Sequence, residues 1–437
     1  MRLVYLMPGA GGTFYCENCM RDAGLIRALT DMGHQPLMVP LYLPLQIDDR
    51  GGLRESPIFF GGINVYLQQK SALFRKTPRW VDRLLDSPRL LRWAASKAGM
   101  TQARDLAATM LSMLQGEDGR QAKELDRLVA WLATEEKPDV VCISNALLLG
   151  SARRIRRDLG AAVACALQDE DIFVDSLPDP ERQQVWDAIA ERAADVDAFL
   201  AVSRYYADFM AERLRIPPEK MHVVHNGVPT ANYATAPAPP DAPTLGFLER
   251  IFPDKGADIV LDAFLLLRER HDRLRLRFAG GWTSGDKPFI DGLRRRAADH
   301  GAAGAVDVLP NIGGEEKLAF IRSLSVLSVP ARHGEAFGMY VLEALASGVP
   351  VVLPRHGAFP ELIEATGGGV LYEPNEPEAL AAALEPLLAE PQQARELGLR
   401  GREAVLERFD IAHAARNAAG VYESILAAPS QGETTDG

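Results

Sequence analysis

Residues 332–352 read RHGEAFGMYVLEALASGVPVV. From Phe337 to Ala346 the single charged residue is Glu343, and a helix over these residues would be apolar on all its other faces. Such a helix is expected to be buried. Because a buried carboxylate without a partner costs several kcal/mol of folding free energy, the sequence predicts that Glu343 has a partner side chain or a bound ligand.

A second carboxylate, Glu335, lies eight residues before Glu343, in a loop. A helix rises about 1.5 Å per residue, so the two carboxylates are expected roughly 10 Å apart. The free backbone amides of the helix start, near Gly338 and Met339, would lie between them and suit a phosphate. This order of groups matches the sugar, diphosphate and ribose of a nucleotide sugar. The alternative interpretation is that both glutamates pair with arginines.

Two cations lie in the stretch LGFLERIFPDKGADIVLDAF, residues 245–264. Arg250 ends an apolar strand and Lys255 opens a helical stretch. Charge-assisted hydrogen bonds from such groups to a diphosphate contribute about 1.5–3 kcal/mol each. They also stabilise the negative charge that grows on a leaving nucleotide. Arg250 and Lys255 are therefore predicted at the same site as the glutamates, the alternative being two surface residues of a loop.

Around these motifs, short apolar runs alternate with amphipathic helical stretches along the whole chain. This pattern predicts an α/β protein whose parallel sheets carry helices on both faces. The alternation pauses at 229–243, PTANYATAPAPPDAP, where five prolines predict a linker. Two doubly wound domains joined in this way are expected to bind a ligand in a cleft at the carboxyl ends of their strands.

The predicted organisation has five parts along the chain. They are an N-terminal acceptor-side domain over 1–228 with a helical basic insertion at about 70–134, the linker 229–243, a donor-binding domain over 244–410, a helix over 411–427 that returns toward the first domain, and a disordered tail over 428–437.

The composition excludes some classes of protein. The chain has 437 residues and a formal net charge of −11, which argues against a nucleic-acid partner. No apolar run reaches the roughly 18 residues of a membrane span, and the start lacks a signal peptide, so a cytoplasmic protein is expected.

One segment, 70–104, carries nine Lys or Arg against Asp82 and Asp86. It could lie on an anionic membrane, at the inner face, or grip an acidic acceptor. The alternative is a solvated helical insertion.

Residues 8–22 read PGAGGTFYCENCMRD and follow an apolar strand. The glycines do not fit the dinucleotide fingerprint G-x-G-x-x-G. Cys16 and Cys19 have three open interpretations: a redox-active thiol pair, a metal site that recruits Cys142 and Cys165, or a loop that shapes the acceptor pocket.

Together these motifs resemble the retaining glycosyltransferases of the GT-B fold, in the family 4 group, which also resembles glycogen synthases. The resemblance rests on Glu335-x7-Glu343 with its following SGVPVV, on Arg250 and Lys255, on HNGVPT at 225–230 and on the glycine loop. It implies two Rossmann-like domains that transfer a hexose from a nucleotide diphosphate sugar to a hydroxyl acceptor with retained configuration. No cofactor, metal or dedicated protein base is then required.

The resemblance also implies roles for individual residues. Glu335, Arg250 and Lys255 would be catalytic. The implied donor contacts are the sugar hydroxyls for Glu335, the sugar and phosphates for Phe337, Gly338 and Met339, the ribose for Glu343, the diphosphate for Arg250 and Lys255, and close backbone approach at Gly11 and Gly12.

The acceptor side departs from the family pattern. Members often have histidines at the ends of two strands, where this chain has ISNALLL after Cys142 and QDED after Leu167. The candidate acceptor contacts are Ser144, Asn145, Gln168, Asp169 and Asp171. Asp169-x-Asp171 also resembles a metal-binding DxD motif, or is a solvated turn.

Two rival functions stay open. One is a nucleotide-sugar-binding protein with reduced catalysis, supported by the missing histidines. The other is a thiol- or metal-dependent variant that uses Cys16 and Cys19. His333, His356 and Glu361 flank the glutamate motif, where His333 could face the acceptor and Glu361 could orient its loop. The nucleotide base, the sugar, the acceptor and the oligomeric state stay open.

Overall fold

The protein divides into two units, each built around a parallel sheet. The first unit comprises residues 1–225 and the residues from Ala414 onward, and the second comprises Asn226–His413. The structure is a computed structural model that describes residues 1–8, 17–42, 57–71, 74–77, 103–236 and 238–428, with backbone alone at 17–20, 62, 76, 103–106 and 284.

The first sheet has six parallel strands in the order β2-β1-β3-β4-β5-β6. Its central strands are apolar and buried on both faces, as expected for a parallel sheet covered by helices. The strands are β1 (Arg2–Met7), β2 (Gln35–Pro40), β3 (Val140–Ile143), β4 (Ala162–Leu167), β5 (Ala198–Ala201) and β6 (Met221–Val223).

The second sheet also has six parallel strands, in the order β12-β11-β10-β7-β8-β9. Its central strands are likewise buried along their length. The strands are β7 (Thr244–Leu248), β8 (Arg275–Gly280), β9 (Val306–Pro310), β10 (Val326–Leu327), β11 (Val351–Pro354) and β12 (Gly369–Tyr372). The prediction of two doubly wound α/β domains is confirmed.

Helices connect the strands in both units. Those between Glu17 and Leu214 are α1 (Glu17–Asp31), α2 (Gly62–Lys70), α3 (Ala103–Leu114), α4 (Ala122–Trp131), α5 (Ala152–Leu159), α6 (Glu170–Asp175), α7 (Glu181–Ala193) and α8 (Arg204–Leu214).

Those after Leu248 are α9 (Ala257–Arg268), α10 (Lys287–Asp299), α11 (Gly314–Arg322), α12 (Met339–Ala346), α13 (Phe359–Thr366), α14 (Pro377–Ala389), α15 (Pro391–Arg408) and α16 (Ile411–Ala427). None of the helices in the described ranges combines the length and hydropathy needed to span a bilayer.

The predicted linker differs in its details from the structure. Residues 229–243 lie in the second unit, and they include a 3₁₀ turn at Thr230–Asn232. The side chain of Tyr233 is buried there. The prolines of this stretch did not indicate that it packs against the second unit, because the residue that is buried is Tyr233, which lies between them. Most of the basic segment 70–104 lies outside the described residues.

The helix α16 is anchored in the first unit by a chain of buried hydroxyls. Tyr422 Oη lies 3.4 Å from the Cys142 sulfur, to which it donates, and 2.8 Å from Tyr5 Oη. A phenol has one hydrogen to donate, so Tyr5 donates to Tyr422. Burial raises the pKa of all three groups, and each is therefore neutral at pH 7.

We expect Tyr422→Phe to lower the free energy of unfolding by about 1–3 kcal/mol, because the buried Tyr5 hydroxyl loses its acceptor. Urea unfolding measures the change. The matched control is Tyr66→Phe, whose side chain is 55% exposed and which should change stability by less than about 0.5 kcal/mol. Equal effects of the two substitutions would contradict the network.

Candidate functional site

The predicted donor residues gather at the carboxyl edge of the second sheet. The strands β7, β10 and β11 are neighbours in that sheet, and in a parallel sheet the carboxyl ends of adjacent strands meet at one edge. Arg250 and Lys255 follow β7, and Glu335 follows β10. Residues far apart in the sequence are therefore brought into contact by strand order.

Lys255 and Glu335 form an ion pair at this edge. Lys255 Nζ donates to both carboxylate oxygens, at 2.8 Å and 3.0 Å. The hydroxyl of Tyr340 donates to Glu335 Oε2 at 3.2 Å. The side chains of Lys255 and Glu335 are 15% and 5% exposed, so little water screens the pair.

Arg250 is held by a carboxylate that sequence reasoning missed. Its Nη2 donates to both oxygens of Asp286, at 3.0 Å and 3.2 Å, and its guanidinium lies 4.6 Å from the ring centre of Phe252. Burial opposes the ionisation of Asp286, but hydrogen bonds from the Thr283 amide and from Arg250 outweigh it and hold the pKa of Asp286 below its usual range. The side chain of Arg250 is thus oriented by the protein itself.

Glu343 has the partners that its burial predicted. Its side chain is 10% exposed, and its Oε1 accepts hydrogen bonds from Lys317 Nζ at 2.6 Å and from Tyr233 Oη at 3.0 Å. The alternative had been an arginine, whereas the structure has a lysine and a tyrosine. Among the described residues no group donates to Oε2, so one oxygen of Glu343 remains open to a ligand.

The residues between the two glutamates have distinct placements. Gly338 precedes α12 with φ +88°, a left-handed conformation that favours glycine. Met339 is the first residue of the helix and is half-buried. The side chain of Phe337 is 3% exposed and packs on Phe409, with 6.5 Å between ring centres. Phe337 can face a ligand through its backbone.

The flanking histidines differ in exposure. His333 is exposed, while His356 is half-buried. Burial lowers the pKa of His356, so its ring is neutral at pH 7. Glu361 lies in the first turn of α13 and is 8% exposed.

At the carboxyl edge of the first sheet, two predicted acceptor contacts are buried. Ser144 and Gln168 are 2% and 3% exposed, and Gln168 Nε2 donates to the Ser144 carbonyl at 2.7 Å. Asn145 Oδ1 accepts from the Leu147 amide and begins a short 3₁₀ helix. Strand-end position did not reveal that the Gln168 amide nitrogen bonds to the Ser144 carbonyl.

Glu170 is the residue at this edge that sequence reasoning missed. Its side chain is 1% exposed and accepts from the amides of Ala146 at 3.0 Å and Gln168 at 2.7 Å and from the hydroxyl of Tyr206 at 2.8 Å. Asp171 Oδ1 lies 2.8 Å from the same hydroxyl. Of the predicted pair, Asp169 and Asp171 are both half-buried. Glu170 lies between the two aspartates of the QDED stretch, and this position was the signal that sequence reasoning missed.

The first glycine loop lies outside the described residues. Gly11, Gly12 and Cys16 belong to it, and the side chain of Cys19 is likewise not described.

The other two cysteines are on neighbouring strands, with Ile143 rather than Cys142 opposite Cys165. Burial raises the pKa of Cys142 to about 12 and that of Cys165 well above its usual value, so both thiols stay protonated at pH 7. Within the described ranges no three His, Cys, Asp or Glu side chains converge as a metal site. Neither buried thiol is available to a metal or redox pair in this form.

Two family models match the chain. The model described as Glycosyltransferase Family 4 matches residues 23–232, and the model described as Glycosyl transferases group 1 matches residues 232–404. The chain is also similar to the structure of a sucrose-phosphate synthase from Thermosynechococcus elongatus, with a TM-score of 0.71 over 98% of this chain and 100% of that one. At 16% identity this likeness shows the fold alone.

The curated relatives of the chain have names that describe glycosyltransferases. The chain is 30% identical over 231 residues to a GDP-mannose-dependent alpha-(1-6)-phosphatidylinositol monomannoside mannosyltransferase of Mycolicibacterium smegmatis, a match that covers 49% of this chain and 59% of the relative. It is 30% identical over 238 residues to a D-inositol 3-phosphate glycosyltransferase of Streptomyces scabiei, covering 51% and 53%. The chain thus spans less than two thirds of the length of these relatives.

The two doubly wound domains have the GT-B fold. Cations and carboxylates lie at the carboxyl edge of the second domain. The two family models adjoin at residue 232 and together take in residues 23–404. The chain belongs to the family 4-like glycosyltransferases.

The backbone beside Glu335 allows a matched pair of glycine substitutions. Gly357 and Gly367 both have φ +59°, but a Cβ at Gly357 would stand 2.5 Å from the Glu335 nitrogen, while at Gly367 nothing lies within 4 Å. We expect Gly367→Ala to cost about 1–2 kcal/mol of left-handed strain and Gly357→Ala to cost clearly more, measured by urea unfolding. Equal losses of stability in the two variants would show that the loop at Glu335 moves to accept the added methyl group without further cost.

The partners of Glu343 can be tested by a double-mutant cycle. Lys317→Met should cost about 3–5 kcal/mol of stability, because Glu343 would keep its charge in a buried position with Tyr233 alone. Adding Glu343→Gln should recover most of that loss, since the neutral amide needs no cation. Costs that simply add in the double variant would mean that the two side chains do not interact.

Proposed function

We propose that the protein is a retaining glycosyltransferase that moves a hexose from a nucleoside diphosphate sugar to a hydroxyl acceptor. The observation that carries this proposal is the contact between Lys255 and Glu335, 2.8 Å apart at the carboxyl edge of the second sheet. It joins a cation suited to a phosphate to a carboxylate suited to sugar hydroxyls.

On donor binding, the diphosphate becomes the ion-pair partner of Lys255. A phosphate oxygen replaces Glu335 as the acceptor for Lys255 Nζ, and Glu335 is released to accept hydrogen bonds from the sugar. Arg250 uses Nη2 for Asp286, which leaves Nη1 for a second phosphate contact. These cations stabilise the charge that develops on the leaving diphosphate.

The reaction then needs no base from the protein. The bond between the anomeric carbon and the phosphate oxygen breaks, and the acceptor oxygen bonds to the same face of that carbon. The acceptor proton passes to the leaving phosphate. Glu343 Oε2, which faces no donor among the described residues, would accept from a ribose hydroxyl and hold the nucleotide in line.

The names of the relatives support the classes of substrate. One name specifies GDP-mannose with a phosphatidylinositol mannoside, and the other specifies D-inositol 3-phosphate. For this chain we extend the proposal to a nucleoside diphosphate hexose as donor and a polyhydroxylated acceptor, a cyclitol or a sugar.

A screen of nucleoside diphosphate sugars for slow hydrolysis identifies the donor without knowledge of the acceptor. With that donor, Lys255→Ala and Glu335→Gln should each lower kcat about a hundredfold or more, since each removes a group that acts on developing charge or on the reacting sugar. Lys287→Ala is the matched control, because its side chain is 60% exposed on the same domain.

Each outcome of this experiment has a defined meaning. Unchanged kcat in both site variants would overturn the proposal. Nucleotide binding without hydrolysis or transfer would favour the non-catalytic alternative. Loss of activity in a chelator would revive the metal interpretation of Asp169 and Asp171.

A further inference from the structure

Three side chains converge on one hydroxyl at the carboxyl edge of the first sheet. Tyr206 Oη lies 2.8 Å from Glu170 Oε2 and 2.8 Å from Asp171 Oδ1. It also accepts a hydrogen bond from the Glu170 amide at 2.9 Å. Tyr206 and Glu170 are each 1% exposed, and Asp171 is half-buried.

The number of hydrogens decides the protonation of the cluster. A phenol donates one hydrogen bond, and the backbone amide of Glu170 already points at the phenol oxygen. Two carboxylate oxygens at 2.8 Å therefore need a second hydrogen, which one of the carboxyl groups must carry. Two ionised carboxylates facing a single hydroxyl would leave one close contact between oxygens without a proton.

The hydrogen bonds indicate which carboxyl carries the proton. Both oxygens of Glu170 accept backbone amides, from Ala146 to Oε1 and from Gln168 to Oε2, so a hydroxyl on either oxygen would face an N–H. Asp171 Oδ1 has the Tyr206 hydroxyl as its side-chain partner, at 2.8 Å. Burial raises the pKa of both carboxyls. The hydrogen bond with Tyr206 and the amides of Asp171 and Ile172 favour the Asp171 anion without outweighing burial.

We infer that Asp171 and Glu170 share one proton, that Asp171 carries it and donates to Tyr206, that Tyr206 donates to Glu170, and that this relay holds the loops after β3 and β4 in place. Glu170 and Tyr206 are then positioning residues. The inference rests on the proposed function in one respect: these loops carry the acceptor-side candidates Asn145, Asp169 and Asp171.

The neighbouring charges reinforce this state. Asp175 raises the pKa of Asp171, and Arg213 is engaged with Asp175 at 2.6 Å. Among the described residues, the titratable groups that also face the cluster are Asp169, which interacts with Tyr206, Tyr205, which interacts with Asp171, and Cys165, which interacts with Glu170. The acidic neighbours oppose a second negative charge at Asp171.

The inference predicts an asymmetry between two amide substitutions. Asp171→Asn supplies an N–H in place of the carboxyl proton and should be tolerated. Glu170→Gln should be destabilising at every pH, because its amide nitrogen must face one of the two backbone N–H groups. Thermal unfolding between pH 4 and pH 8 measures both, and the reverse order of stability would overturn the assignment.

The pH dependence has a definite sign. A carboxyl whose folded pKa is raised contributes stability that is complete below its unfolded pKa, near 3.8 for Asp171, and that is lost as the pH rises through the folded pKa. The Tm of Asp171→Asn, measured against the wild type, should therefore increase with pH, by about 2 °C or more at the upper end. A constant difference would overturn the shared proton.

A second readout separates this inference from the proposed function. Tyr206→Phe should reduce the pH-dependent difference between Asp and Asn at position 171, because the protonated carboxyl loses the oxygen to which it donates while burial of Asp171 remains. The control Tyr205→Phe should leave the difference unchanged. In transfer assays, Asp171→Asn should flatten the pH profile of the acceptor KM. The unfolding data need no donor or acceptor, so they test the relay even if no transfer activity is found, and an unaltered acceptor profile would contradict the positioning role.

Discussion

A buried carboxylate at the end of a parallel strand must be neutralised, and the second domain does this with a cation. Glu335 follows β10 and Lys255 follows β7, the neighbouring strand, so the order of strands places both loops at one edge, where the two side chains are within 3.0 Å. With side chains 15% and 5% exposed, neither can lose its partner without a replacement. A diphosphate can replace Glu335 as the partner of Lys255, and sugar hydroxyls can replace Lys255 as the partner of Glu335. The ion pair therefore stabilises this edge of the sheet, and the proposed function requires that it exchange for the donor.

The first domain solves the same problem in another way. Glu170, at the end of β4, is buried and is held by two backbone amides and a phenol rather than by a cation. Its neighbour Asp171 competes for the same phenol, and the shortage of hydrogens at Tyr206 requires a shared proton. One domain thus has an edge where an anion can exchange for a carboxylate, and the other has an edge whose charge depends on pH.

The sequence predicted the architecture because each strand is a buried apolar run and each connection is helical. It also predicted that Glu343 needs a partner, since burial of the helix follows from its composition. The sequence did not predict which residues are the partners of Glu343. Lys317 and Tyr233 lie 26 and 110 residues from Glu343, and Asp286 lies 36 residues from Arg250, so their contacts depend on packing between elements. Strand-end position similarly suggested that Ser144 and Gln168 face a ligand, but the structure uses the Gln168 amide and the Ser144 carbonyl in an internal hydrogen bond.

A crystal structure of the protein with a bound nucleoside diphosphate would show directly whether an anion exchanges for Glu335 at Lys255. We expect Lys255 Nζ to move from Glu335 to a phosphate oxygen, Arg250 to contact the diphosphate while still bonded to Asp286, and Glu343 to accept from the ribose. A diphosphate bound elsewhere, with Lys255 still on Glu335, would refute the exchange.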